Sequence, residues 1–163
     1  MTDAEIKLRS QLESLRAFVA DKFSKDFHYR GMQDFVLRHS RFFDPRLLPK
    51  GIGPGPIRQC YSNAFVRASL QRIPYVEGYA LSSSGSLHLH AWNLDAEDFV
   101  IDTTWDPVGV AYLGVIFPDF VFRIFSADRK KHPIIDDWRH GWPLLRVPFE
   151  PLLLPDFQTT TPR

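Results

Sequence analysis

The first stretch of the chain is amphipathic. Thr2 and Glu5 have the spacing of a capping box, and Leu8, Leu12, Leu15, Val19 and Phe23 follow at helical intervals. This predicts a helix from Asp3 to Phe23 with one face on a core. A second short helix is expected from Gly31 to Arg38. From Phe43 to Pro56 the chain is rich in proline, which removes donors, and in glycine, which loosens φ, so it reads as a loop. A third helix is expected from Gln59 to Gln71. Its apolar face is Tyr61, Ala64, Phe65 and Ala68, and Pro74 bars its continuation.

Beyond Pro74 the pattern turns to strands. Tyr75 to Leu81, Leu87 to Leu94, Phe99 to Thr104 and Ala111 to Phe117 are the expected strands, with a turn at Ser82 to Ser86 and another around Asp95 to Asp98. Asp119 to Phe125 reads as a short helix or strand, and Pro133 to Pro155 as irregular packing. Helices come first, then one more helix leads into an antiparallel meander, which is an α+β layout. The expected organisation is one domain over residues 1–163: a helical N-terminal part (1–50), a core (51–155) and a frayed tail (156–163).

Composition narrows the class. A hydrophobic fraction of 44% and an aromatic fraction of 14% supply a packed interior and argue against disorder. No apolar run is long enough to span a bilayer, and the acidic, amphipathic start lacks the pattern of a secretory signal. The expected location is cytoplasmic, with no membrane partner. The net charge of +1 and the short run Arg129-Lys130-Lys131, read as a solvated turn, give no indication of a nucleic-acid partner.

The chain has a single cysteine, so an intrachain disulfide and a multi-cysteine zinc site are both excluded. A lone cysteine is commonly a small buried hydrophobe. Cys60, however, sits where a loop gives way to a helix, and a helix N-terminus favours a thiolate and offers amide donors to an oxyanion. The strand Leu87-His-Leu-His-Ala-Trp-Asn-Leu94 places His88, His90, Trp92 and Leu94 on one face. Asp102 ends the apolar run Phe99-Val-Ile101 and needs a partner, for which His90 on the neighbouring strand is the natural choice. A three-residue loop, Asp95-Ala96-Glu97, sets His90 opposite Asp102, Trp92 opposite Val100, and His88 opposite Thr104. A two-residue loop sets Asp102 opposite Ala91, on the other face.

Cysteine at a helix start, His90-Ala91-Trp92 on a strand and Asp102-Thr103-Thr104 at a strand end, in that order, resemble the transglutaminase-like superfamily. The resemblance covers Gln59 to Trp105. It implies a papain-like core in which the cysteine helix packs on a small antiparallel sheet. It also implies a thiol acyl-transfer centre with Cys60 as nucleophile, His90 as base and Asp102 as the group that orients the base. Gln59, Tyr61, Asn63 and Trp92 are the candidates for oxyanion or substrate contacts. The substrate expected is a peptide, a protein or a small amide, and no cofactor or metal is called for. The same superfamily includes inactive members, so a binding module with a decayed triad is the alternative. A third reading takes His88, His90 and Asp95 as a cupin-type metal motif.

Overall fold

A computed structural model describes residues 1–119, 122–123 and 133–150. Helix α1 (Asp3–Val19) begins with the expected capping box: the Thr2 hydroxyl accepts from the Glu5 amide and the Glu5 carboxylate accepts from the Thr2 amide. A 3-10 turn over Ala20–Lys22 finishes it. Helix α2 (Met32–His39) and helix α3 (Cys60–Gln71) lie within a residue of the expected bounds. The strands are β1 (Arg41–Phe43), β2 (Tyr75–Leu81), β3 (Leu87–Leu94), β4 (Val100–Ile101) and β5 (Ala111–Phe117). The fold class is α+β.

The sheet is antiparallel with strand order β1-β5-β2-β3-β4. Only β2, β3 and β4 form the expected meander. β5 returns to the far side of β2, and β1, which the sequence pattern hides at the start of a proline-rich loop, pairs with β5 at the edge. The segment 133–150 is irregular apart from two 3-10 turns. The expected element at Asp119–Phe125, the basic run 129–131 and the tail 156–163 fall wholly or partly outside the described residues. No helix among the described residues is long and apolar enough to cross a membrane.

Every residue of β2 is buried, because both faces of the sheet are covered. On one face Tyr79, Ala91, Leu113 and Val115 meet Leu8 and Leu12 of α1, Phe35 of α2 and Ala64 of α3. On the other face Phe43, Val76, Ala80, Trp92, Leu94, Val100 and Tyr112 pack together. The sheet itself curls around this second cluster: the Val100 amide of edge strand β4 donates to Asp44 O, just past opposite edge strand β1. Trp92 can lie flat inside the curl because β5 has glycine beneath it. A Cβ on Gly114 would come within 2.5 Å of the indole.

The β3–β4 connection decides where Asp102 falls. The register pairs Asn93 with Ile101 and Leu94 with Val100. The loop is therefore 95–99, held by Asp95 Oδ1, which accepts from the amides of Glu97 and Phe99. This corrects the expected three-residue loop by a slip of two. Two is the period of a strand, so Asp102 keeps the face of His90 while moving towards Trp92. β4 then stops at Ile101, and His90 has no partner residue on that side.

The helix-side face of β2 also carries a fully buried carboxylate. Glu77 accepts from the Tyr75 hydroxyl (2.6 Å) and from the amides of Ile134 (2.7 Å) and Ile135 (2.9 Å), pinning the C-terminal segment to the sheet. Burial pushes its pKa up to about 7, and the hydrogen bonds from Ile135, Tyr75 and Ile134 only partly offset that. Between pH 4.5 and 7 the folded state holds a proton that the unfolded state has released, so stability falls as pH rises. Glu77→Gln removes this slope. The stability difference between wild type and variant, from denaturant titrations, should shrink by on the order of 3 kcal/mol across that window.

Candidate active site

Asp102 and His90 meet inside the mouth of the curled sheet. Both are almost wholly buried, and His90 Nε2 lies 2.7 Å from Asp102 Oδ2. Asp102 Oδ2 also accepts from the Tyr112 hydroxyl at 2.7 Å. Oδ1 accepts from the amides of Thr104 (2.8 Å) and Trp105 (3.3 Å). The chain thus turns around the carboxylate as soon as it leaves β4. Burial alone would raise the Asp102 pKa, but the hydrogen bond and charge of His90, the Thr104 amide and the Tyr112 hydroxyl hold it below the ordinary value. For His90, burial disfavours the charged ring, but the hydrogen bonds to Asp102 and Cys60 outweigh it and raise the pKa to about 9.

Cys60, the half-buried first residue of α3, lies near enough to that ring to add to the rise in its pKa. Asp102 occupies Nε2, which leaves Nδ1 for the thiol. The loop before α3 is tied to the chain that follows Asp102. The Gly55 amide donates to Thr103 O at 2.7 Å, and Asn63 Nδ2 donates to Pro56 O (2.9 Å) and Thr104 Oγ1 (2.8 Å). Gly55 packs so closely on Asn63 that a Cβ there would lie 2.8 Å from the amide group. Arg58, two residues before the cysteine, takes a left-handed φ of 60° as the loop turns into the helix. Helical geometry leaves the first-turn amides of α3 without intrahelical acceptors, and the Gln59 side chain does not cap them.

The structure brings Cys60, His90 and Asp102 together and separates the other candidates. Gln59 is exposed beside Cys60 and lines a hollow of about 370 Å³. Asn63 spends its amide donors holding the loop, so it acts as a clamp and not as an oxyanion donor. Tyr61 packs against the helix-side core; burial, then the negative charges of Glu77 and Cys60, push its phenol well above the ordinary value. Trp92 is buried beneath His90, with ring planes 22° apart, and so supports the ring without shielding it from water. The half-buried Trp105 covers the imidazole, stacked at 4.3 Å. Its ring also touches the exposed His88 and walls a second hollow of about 470 Å³. A further hollow of about 480 Å³ lies at the other end of α3, away from all three residues.

The positions that sequence reasoning missed are Trp105 and Tyr112. Trp105 stands next to the Asp-Thr-Thr run that marks the site, a local signal that points to it. Tyr112 sits in an apolar strand and reaches Asp102 only through the order of the sheet, which the local pattern does not carry. The metal reading finds no support in the geometry. Among the described residues no three His, Cys, Asp or Glu side chains are placed so that they could hold a metal ion, His90 Nε2 is taken by Asp102, and Asp95 is spent on its own turn and on Arg46.

Compared with protein-family models, with curated proteins and with solved structures, the chain matches none.

The buried pair should be visible by titration. His90 should stay protonated through neutral pH and lose its proton near pH 9, followed by imidazole nitrogen NMR. A raised histidine pKa stabilises the fold fully below about pH 6.5, and this contribution is lost as pH rises through 9. Asp102→Asn should bring the midpoint down and cost about 3–5 kcal/mol of stability below pH 6.5, because it leaves a buried imidazolium without its counter-charge.

Proposed function

We propose that the protein is a cysteine-dependent acyl-transfer enzyme built on a papain-like, transglutaminase-like core. One observation carries this reading. The only cysteine in the chain stands at a helix start and shares an imidazole with a buried, fully hydrogen-bonded carboxylate. A structural cysteine has no use for that arrangement, whereas a nucleophile needs each part of it.

In this reading His90 Nδ1 already holds the proton of the Cys60 thiol in the resting enzyme, and the sulfur attacks the carbonyl carbon of an amide. The carbonyl π pair moves to oxygen, where the first-turn amides of α3, with Gln59 beside them, stabilise the oxyanion. As the C–N bond breaks, His90 passes its proton to the departing amine, leaving a thioester on Cys60. Water or a second amine then attacks the thioester while His90 takes its proton. Collapse of the second oxyanion breaks the C–S bond and leaves the proton on His90 beside the sulfur, restoring the resting pair. Asp102 keeps Nε2–H fixed, so that Nδ1 faces sulfur throughout, and it stabilises the imidazolium in both steps. Trp105 keeps bulk water from the ring. The substrate class is a peptide, a protein or a small amide, and the reaction draws on no cofactor.

Alkylation by iodoacetamide tests the centre without a known substrate. Wild-type Cys60 should react quickly well below pH 7, and Cys60→Ser should take up no label. His90→Ala should slow the reaction at pH 6 by roughly 10²-fold or more, and Asp102→Asn should slow it less. His88→Ala should have only a small effect, since His88 touches Trp105 and not the thiol. A wild-type rate indifferent to His90→Ala would replace this reading with that of a binding module.

A further inference from the structure

Among the described residues, Tyr112 is the one side chain besides His90 that hydrogen-bonds Asp102, and both bond the same oxygen. The phenol is wholly buried among Trp92, Trp105 and His90, with ring centroids 5.1, 6.4 and 6.3 Å away. Its oxygen accepts from the Gly109 amide at 2.9 Å and donates to Asp102 Oδ2 at 2.7 Å. His90 Nε2 bonds Oδ2 at the same 2.7 Å. The backbone amides of Thr104 and Trp105 take Oδ1, so side chains and backbone divide the two oxygens between them.

We infer that Tyr112 is a positioning residue of the triad: its hydroxyl, acting through Asp102 Oδ2, sets the orientation and the proton affinity of His90. The inference rests on the triad reading above for its catalytic meaning, but the coupling itself can be measured without catalysis. Burial, and then the charge of Asp102 and the hydrogen bond to it, push the phenol far above its ordinary range. The hydroxyl therefore keeps its proton at any working pH and always donates. A permanent donor on Oδ2 has two effects. It confines the imidazole to the remaining lone-pair direction of that oxygen, which fixes the ring with Nδ1 towards the thiol. It also draws off part of the carboxylate's charge, so the imidazolium is held less tightly than a bare carboxylate would hold it. An imidazole that must both accept and return a proton in each turnover needs that moderation. The acceptor role at Gly109 ties the same hydroxyl to the loop 105–109, which carries Trp105 over the ring.

The sign of the effect separates this role from simple packing. Tyr112→Phe keeps the ring and removes the hydroxyl, leaving Asp102 Oδ2 to His90 alone. The His90 NMR midpoint should then rise by about half a unit to one unit, opposite to Asp102→Asn, which lowers it. The upper limb of Cys60 alkylation by iodoacetamide, where the imidazolium loses its proton, should move up by the same amount. Replacing Tyr112 by 3-fluorotyrosine keeps the fold and the hydrogen bond but strengthens the donor, so the midpoint should fall below wild type. This variant decides the matter where Tyr112→Phe fails to fold. A midpoint that stays put in both variants, or that moves down in a folded Tyr112→Phe, overturns the inference. A midpoint that moves as expected, in a protein whose alkylation ignores His90→Ala, supports the coupling and overturns the enzymatic reading instead.

Discussion

A carboxylate and an imidazole enclosed together in protein are costly to desolvate, and the pair persists only if nearly every lone pair and proton finds a partner. Asp102 meets that requirement with four donors on two oxygens, drawn from three different parts of the chain. Much of the local architecture follows from supplying them. β4 has to stop after two residues so that the backbone can fold back and present the Thr104 and Trp105 amides. β5 has to cross to the far side of β2 so that Tyr112 faces the same interior as His90. The curl of the sheet brings these donors round one point.

The early stop of β4 has a second consequence. It leaves part of the β3 edge open, and an exposed edge is normally a liability that a protein covers. The glycine- and proline-rich loop before α3 is tied to the peeled-away chain through Gly55 and Thr103, and through Asn63, which bonds both Pro56 and Thr104. Proline suits a segment whose hydrogen bonds run to side chains and single carbonyls instead of along a ladder, and Gly55 admits the close approach of Asn63. The loop delivers the start of α3, and so Cys60, to the gap. The composition that reads as a plain linker in sequence is what this docking demands.

Local patterns exposed the parts of this arrangement that local forces determine. The capping box at Thr2 and Glu5, the apolar face of α3 and the alternation in β3 are periodic signals within a few residues, and the elements follow them closely. Cys60, His90 and Asp102 were legible because each breaks such a pattern: a thiol at a loop–helix junction, an imidazole on a strand, a carboxylate after three apolar residues. The face shared by His90 and Asp102 was legible too, since a slip of two preserves it. The register itself was not, because Asp95 builds its turn with side-chain hydrogen bonds that lengthen the loop. β1 escaped notice because three residues beside prolines carry too little periodicity, and Tyr112 because its role depends on which strands become neighbours.

Glu77 and Asp102 are both buried carboxylates of this fold, yet their net shifts run in opposite directions. Glu77 is the more perturbed in the sense that usually flags function, with its pKa raised to about 7. Yet its donors are neutral, two amides and a phenol, and all are consumed in fastening the segment at Ile134 and Ile135 to the sheet. Asp102 has a comparable number of neutral donors plus one cation, and that cation reverses the direction of the shift. The cation is also the only member of either set with a second nitrogen, and Cys60 adds to the rise in its pKa. Of these two carboxylates, only Asp102 has a partner with a second nitrogen through which a proton could pass.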